Sequence, residues 1–368
     1  MRIGIIGAGQ LGQMLGFAAR DLDVECRFVD PSTNPPAATC GKVIQSAFDD
    51  PVALVALADT CDVITYEFEN VPVAALQHIE GIAPVYPPAA ALRHSQDRLD
   101  EKKLFDELQI PLPGYHAIDT REDMDIAADK LGLPMVIKTR RLGYDGKGQF
   151  VAREATDLDS AWDQLGGQAL IAEQWVPFDY EVSCIGVRSV GGEIAVYPLA
   201  RNVHIDGILS TSRSPVDEPE LAKVASDYVQ RLLDRLDYVG VLALELFVVG
   251  DTLLANEFAP RVHNSGHWSI EGSETSQFEN HLRAIMNLPL GSTASKGHAG
   301  MVNLIGEIPT ATRSLKIGQL HDYGKAPRPG RKLGHVTVVA QTAEERDRLV
   351  GIIDENVTQL TGVGENTP

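Results

Sequence analysis

The sequence predicts an α/β and α+β chain of three units: an N-terminal unit on a parallel sheet, a larger mixed unit, and a small β-rich unit at the C-terminus. Three observations carry this. Residues 1–95 alternate short apolar strands with helix-period segments, the pattern of βαβ units with helices on both faces of the sheet. At Pro111-Leu-Pro113 that alternation stops and glycine-rich hairpins follow, which marks a change of domain. Near residue 250 two apolar runs meet at Gly250-Asp251, the signature of a β-hairpin.

In chain order, Arg2–Ile6 reads as a strand, Leu11–Arg20 as a helix and Glu25–Val29 as a strand ending at Asp30. A short strand at Val43–Gln45, a helix at Val52–Ala58, a strand at Val63–Tyr66 and a helix at Val73–Ile79 complete the first unit. The charged amphipathic segment Asp97–Leu108 opens the second. There Ala127–Leu131 is helical, Met135–Lys138 and Gln149–Ala152 are strands, and 157–165 is a helix. Strands at 169–176 and 181–187 and a helix at 219–236 lead to the hairpin of Val241–Val249 and Leu253–Phe258, then to a helix at Thr275–Met286. Strands near 299–304 and 335–340 and a helix near 343–353 form the third unit. The expected limits are therefore 1–96, 97–298 and 299–368.

Composition narrows the classes. A hydrophobic content of 44% with 23% charged residues is that of a soluble globular protein. No apolar run reaches the roughly eighteen residues that a membrane helix needs. The chain opens as a strand running straight into a glycine turn, unlike a signal peptide. Cys26, Cys40, Cys61 and Cys184 lack metal-type spacing, so reduced thiols and a cytoplasmic location are expected. A net charge of −19 argues against nucleic-acid binding. It leaves room for anionic ligands at local basic clusters such as Lys325, Arg328, Arg331 and Lys332.

The hairpin carries the sharpest signal. Glu245 and Glu257 lie inside its two apolar runs and can project from one face of the sheet. Two buried like charges repel, and a shared proton or cation relieves the repulsion. Magnesium commonly sits between carboxylates and substrate phosphates. Asn256 and the polar run Pro260-Arg-Val-His-Asn-Ser-Gly-His-Trp268 adjoin the pair. Such a run is costly to order without a ligand.

Two glycine loops point to phosphates. Gly7-Ala-Gly9-Gln-Leu-Gly12 follows a strand and opens a helix, with Asp30 ending the next strand, the context of a dinucleotide fingerprint. Its physical content is narrower: backbone N–H groups and a helix N-terminus facing an anion. Gly143-Tyr-Asp-Gly146-Lys-Gly148 lies between two strands and can close over a triphosphate. Lys138 stands just before it to neutralise charge. Glu173-Gln-Trp-Val176 ends a strand in polar backbone suited to an adenine edge, and Glu181 could accept ribose hydroxyls.

Loop, lysine, hinge strand and paired glutamates together resemble the ATP-grasp superfamily. Gly143–Gln149, Arg201-Asn-Val-His204, the 260–268 run and Pro329-Gly-Arg-Lys-Leu-Gly-His335 are similar to its N5-carboxyaminoimidazole ribonucleotide synthetase family, from Met1 to about Val350. The resemblance implies an ATP-grasp fold with an N-terminal Rossmann-like (pre-ATP-grasp) domain and a lid over about 115–190. It also implies a set of roles. Arg98, Lys138 and the loop Gly143, Tyr144, Asp145, Gly146, Lys147, Gly148, Gln149 would hold ATP phosphates. Glu173, Gln174, Trp175 and Val176 would meet adenine, Glu181 the ribose, and His204 and Asn256 the nucleotide. Glu245 and Glu257 would bind two Mg2+ ions. Tyr144, Asp145, Arg261 and His263 would stand at the reaction centre. Gln10, Leu11, Glu69, Asn264, Ser265, Lys325, Arg331 and Lys332 would bind the acceptor ribonucleotide.

The implied reaction uses ATP and bicarbonate to carboxylate the exocyclic amine of aminoimidazole ribonucleotide through carboxyphosphate, in purine biosynthesis. A homodimer and product hand-over to a carboxyaminoimidazole ribonucleotide mutase are implied as well, with neither biotin nor NAD. The first glycine loop alone would suggest a nicotinamide-dependent oxidoreductase, but that leaves the glutamate pair, the second loop and the 260–268 run unexplained. A non-catalytic nucleotide-binding subunit would not need every catalytic-looking position. A formate-using glycinamide ribonucleotide transformylase or a biotin carboxylase would not share the 260–268 and 329–335 stretches.

Overall fold

The computed structural model describes residues 1–143, 148–314 and 316–361. In the first unit the strands Lys42–Gln45, Glu25–Asp30, Arg2–Ile6 and Val63–Tyr66 lie side by side, all parallel. Ile3, Ile5, Ile6, Phe28, Val29 and Ile64 are fully buried, as a parallel sheet covered on both faces requires. Helix Gln10–Asp21 packs on one side, while Pro51–Ala58 and Val73–Ile79 share a second core. Asp50 caps Pro51–Ala58 by accepting the Val52 N–H at 3.0 Å, a side-chain oxygen meeting an orphan helix donor.

The middle unit contains two sheets. A small antiparallel one orders Tyr115–Ile118, Leu170–Gln174, Met135–Thr139 and Gln149–Ala152. Helices Arg121–Leu131 and Asp157–Leu165 share its core. Strand Tyr180–Arg188, expected in the lid, instead pairs along its whole length with Gly240–Val249. The small sheet therefore ends at Gln174, short of the lid limit near 190.

The large sheet has nine described strands. Thr252–Ala259, Gly240–Val249, Tyr180–Arg188, Ala200–Ile205, Ile208–Ser214, His298–Ile305, Lys332–Ala340 and Gln319–Asp322 follow one another, with Ile194–Val196 beside Tyr180–Arg188. The third unit is thus continuous with the second, because His298–Ile305 pairs with Ile208–Ser214. Sequence periodicity missed the hairpin Ala200–Ser214. Its strands alternate Arg201, Asn202, His204, Ser210, Thr211 and Ser212 with few apolar residues, so it carries no hydrophobic run to recognise.

Candidate active site

Sheet register builds the centre of the site. Glu245 stands directly opposite Glu257 on one side and Ser183 on the other. Glu181, two residues from Ser183, shares that face because side chains alternate along a strand. The hairpin pairing then slips: Glu245 opposes Glu257 but Leu246 opposes Ala255. Asn256 is the extra residue of this β-bulge, and bulges re-aim side chains beside active sites. Its Oδ1 is buried without a partner.

The two carboxylates respond in opposite directions. Burial, then the charge of Glu257, pushes Glu245 up to about 7. Burial would also raise Glu257, but Arg98, Lys138 and Lys102 outweigh it and hold that carboxyl below its ordinary range. Arg98 Nη1 donates to Glu257 Oε2 at 2.9 Å. Among the described residues no group of three or more His, Cys, Asp or Glu side chains is arranged to hold a metal. A cation here would take Glu245, Glu257 and the partnerless Asn256 oxygen, and complete its shell with nucleotide phosphate. That mixed set suits a hard ion such as magnesium.

Basic groups cluster on one side of this pair. Lys138 Nζ donates to Glu173 Oε2 at 2.9 Å. Lys102, fully buried, lies 3.6 Å from the same carboxylate and donates to the Asn256 carbonyl. Burial opposes ionisation of Glu173, yet Lys102, Lys138 and Arg98 together pull it down to about 2. Its Oε1 remains buried and free of partners. Glu181 Oε2 meets His204 Nδ1 at 2.7 Å, so two expected nucleotide residues are in contact. Burial works against the His204 charge, but Glu181 and Glu245 raise its pKa. Trp175 is partly exposed, beside Arg153. Gln149 pairs with Lys138 across the strands. Gly148 has φ +71, and a Cβ there would meet Thr139 Oγ1 at 2.7 Å. Tyr144, Asp145, Gly146 and Lys147 lie outside the described residues.

The 260–268 segment runs along the other side. Arg261 Nη2 contacts Glu69 of the first unit at 3.1 Å. Gln277, fully buried, grips His263 twice, accepting its N–H at 3.0 Å and donating to its carbonyl at 2.6 Å. The Ser265 N–H donates to His263 Nδ1 at 3.3 Å, so the ring carries its proton on Nε2, 3.5 Å from Glu245 Oε1. Burial, then Arg261 and Lys332, keeps that imidazole neutral, well below its usual range.

The first glycine loop differs from a dinucleotide site in its amides. Asp30 Oδ2 accepts the Ala8 N–H at 2.8 Å, and Glu67 Oε1 accepts the Gly9 N–H at 2.7 Å. Gly7, at φ +101, leaves no room for a side chain against Glu67. Asp30 is thereby committed to the backbone instead of a ribose. Gln10 and Leu11 then open the helix, and Lys325 of the third unit donates to Gln10 Oε1 at 2.9 Å. Burial, with Arg331 next, lowers the Lys325 ammonium to about 8. Arg331 Nη1 donates to the Ala326 carbonyl at 3.2 Å.

Comparison with known proteins decides the family. Residues 1–96 match the model of the ribonucleotide synthetase preATP-grasp domain, 103–278 that of the ATP-grasp domain, and 299–348 that of the phosphoribosylaminoimidazole carboxylase C-terminal domain. The N5-carboxyaminoimidazole ribonucleotide synthase of Pseudomonas aeruginosa is 49% identical over 340 residues, 92% of this chain and 94% of that protein. The chain belongs to the N5-carboxyaminoimidazole ribonucleotide synthase family. It is an ATP-grasp ligase of purine biosynthesis that carboxylates an aminoimidazole ribonucleotide.

The crystal structure of the Thermus thermophilus synthetase superposes with a TM-score of 0.93 at 48% identity, covering 97% of this chain and 99% of that one. An Aspergillus clavatus synthase in complex with ADP and 5-aminoimidazole ribonucleotide gives 0.90 at 29% identity, covering 98% and 99%. No described helix of this synthase is long and apolar enough to cross a membrane. Sequence reading missed Lys102, Glu67, Gln277 and Glu101, which accepts the Phe258 N–H at 2.7 Å. Lys102 had one usable signal: it falls three residues from both Leu99 and Phe105, on the apolar stripe of its helix.

Proposed function

We propose that this synthase uses ATP to activate bicarbonate and transfers the carboxyl group to the exocyclic amine of 5-aminoimidazole ribonucleotide. The observation that carries the reading is the Glu245–Glu257 cross-strand pair, set between Arg98 and Lys138 on one side and His263 and Arg261 on the other. Phosphoryl transfer needs positioned cations on one side of the γ-phosphate and the nucleophile on the other.

In this reading ATP phosphates lie against Arg98, Lys138 and the Gly143–Gln149 loop. Glu173 Oε1, the partnerless oxygen, accepts the adenine amine, and Glu181 and His204 take the ribose. Glu245, Glu257 and Asn256 would hold magnesium, whose charge stabilises the transferring phosphoryl group. Arg261 and His263 hold bicarbonate as its oxygen attacks the γ-phosphate. ADP leaves, and the carboxyphosphate formed, or carbon dioxide released from it with inorganic phosphate, is attacked by the acceptor amine. The amine loses a proton as the phosphate departs and the carbamate forms. Tyr144 and Asp145 of the lid exclude water from this labile species.

The test is ADP release with aminoimidazole ribonucleotide, glycinamide ribonucleotide, biotin or no acceptor, and with bicarbonate or formate as the second substrate. Only bicarbonate with aminoimidazole ribonucleotide should give full turnover. Formate dependence, or equal rates with glycinamide ribonucleotide, would overturn the reading.

The acceptor phosphate is placed on the Gln10 and Leu11 amides, with Lys325, Arg331 and Lys332 opposite and Glu69, Asn264 and Ser265 along the nucleotide. A helix N-terminus favours an anion, and the Lys325–Gln10 contact brings the first and third units together beside it. Arg331→Ala and Lys332→Ala should each raise the acceptor KM about ten- to a hundredfold, the loss of a charge-assisted bond of roughly 1.5–3 kcal/mol. The KM for ATP should stay within twofold. A loss confined to ATP would exchange the two phosphate sites. NAD and NADP should not shift the melting temperature, whereas aminoimidazole ribonucleotide should raise it.

The synthase is further read as a cytoplasmic homodimer that passes its product to a carboxyaminoimidazole ribonucleotide mutase. All four cysteines are free thiols, which suits a reducing compartment. Sedimentation of the purified chain as a monomer at micromolar concentration would refute the dimer.

A further inference from the structure

Beneath the acceptor side of the cleft, a chain of polar side chains fixes how one amide is turned. Asn303, on His298–Ile305 and 2% exposed, donates through Nδ2 to the Leu209 carbonyl at 2.8 Å. Only the NH2 end of an amide can face a carbonyl, so Leu209 sets the orientation of Asn303. The same Nδ2 donates to Asn264 Oδ1 at 2.8 Å, and Asn303 Oδ1 accepts from Asn264 Nδ2 at 3.1 Å. Reversing Asn264 would set oxygen against oxygen and NH2 against NH2. Its orientation is therefore inherited from Asn303.

The consequence passes to a histidine. Asn264 Nδ2 lies 3.0 Å from His267 Nδ1. An amide nitrogen only donates, so His267 Nδ1 accepts and the ring carries its proton on Nε2. Tyr323 Oη stands 3.3 Å from this Nδ1 and 2.8 Å from His335 Nδ1. His267 is 1% exposed, Tyr323 2% and His335 0%, so water does not substitute for these partners. Asn264 and His267 come from the middle unit, while Asn303, Tyr323 and His335 come from the third.

The valences of Asn264 can now be counted. Both hydrogens of its Nδ2 are engaged, one by Asn303 and one by His267. One lone pair of its Oδ1 is taken by Asn303. What remains on this partly exposed side chain is a single acceptor. We infer that Asn303 and His267 are positioning residues that lock the Asn264 amide as a hydrogen-bond acceptor, so that this position selects a substrate presenting an N–H or O–H donor. The inference rests on the proposed reading that Asn264 faces the ribonucleotide, where the amine and the ribose hydroxyls are the available donors. A turned amide would present NH2 to those donors and lose the contact.

The experiment compares His267→Asn with His267→Phe, alongside Asn303→Asp. Phenylalanine keeps the ring volume but offers no acceptor to Asn264 Nδ2, whereas asparagine loses volume but can set an amide oxygen where Nδ1 stood. The KM for aminoimidazole ribonucleotide should rise about tenfold or more in His267→Phe, with the KM for ATP within twofold. His267→Asn should recover most of that loss. Asn303→Asp, which cannot donate to Leu209 or Asn264, should behave like His267→Phe. If it does not fold, the His267 pair decides alone. The opposite order, with His267→Phe near wild type and His267→Asn impaired, would show a packing role and overturn the inference while leaving the proposed reaction standing. Wild-type protein without turnover on this acceptor would remove the proposed reaction, and the inference with it. Deoxyribose and deaminated analogues then identify the donor, because only the analogue missing that donor should lose its sensitivity to His267→Phe.

Discussion

Glu257→Gln will abolish ADP formation and leave the chain folded. Glu257 faces Glu245 across the hairpin and accepts from Arg98 at 2.9 Å. Glutamine keeps the shape and can still accept that bond, so what disappears is one negative charge. The remaining carboxylate, Glu245, is the one that burial and the Glu257 charge push up. Removing the Glu257 charge eases ionisation of Glu245, yet a site designed around two carboxylates retains one. In the proposed site, where magnesium would stabilise the phosphoryl group, losing half the anionic ligands should cost on the order of 4 kcal/mol, about a thousandfold in rate. Stability should fall, because a neutral glutamine leaves the largely buried Arg98 guanidinium without its ion-pair partner. The lowered Glu257 pKa shows that the surrounding cations outweigh the repulsion from Glu245. The measurement is the initial rate of ADP release at saturating substrates, with a thermal melt of the same sample. Wild-type turnover at ordinary magnesium would remove the metal assignment.

What made this pair legible was local. Glu245 and Glu257 interrupt apolar strands joined by a two-residue glycine turn, which marks the hairpin. Strict pairing from that turn would set Glu245 opposite Asn256, and only the slip that loops out Asn256 brings Glu257 onto the face of Glu245. The parallel sheet of the first unit was readable for the same reason, since Ile3, Ile5, Phe28 and Ile64 belong to short runs with period-two or continuous apolar character. The bulge at Asn256 was not readable. It depends on a pairing slip that only the assembled hairpin reveals. The first glycine loop shows the opposite failure. Its spacing matches a fingerprint, but the decisive fact is that Asp30 and Glu67 occupy the Ala8 and Gly9 amides, and Glu67 arrives from a different strand. Contacts such as Lys325 with Gln10 or Asn303 with Asn264 join residues distant in the chain. No window of sequence contains both partners.

Lys102→Met should be the most destabilising single change in the nucleotide half of the site. Lys102 is 0% exposed, and an ammonium without water must find all its partners in the protein. It finds two: the Asn256 carbonyl and the Glu173 carboxylate at 3.6 Å. Methionine keeps the length of the side chain, so the effect reports the lost charge and donor more than a cavity. Three cations hold Glu173 down at about 2 against burial, and removing one leaves a buried carboxylate less compensated. Breaking a buried pair costs about 3–5 kcal/mol. The lower end applies because Lys138 still donates to Glu173 at 2.9 Å. Two functional losses should accompany it. The Asn256 carbonyl loses its donor at the bulge that aims Asn256 and Glu257, so turnover should fall along with ATP affinity. Lys103→Met, at the exposed neighbouring position, is the control and should change neither. Urea unfolding and ATP titration of the two variants make the comparison. A Lys102→Met protein within about 0.5 kcal/mol of wild type, the scale of an ordinary surface substitution, would mean that Lys138 and Arg98 alone hold Glu173 in place.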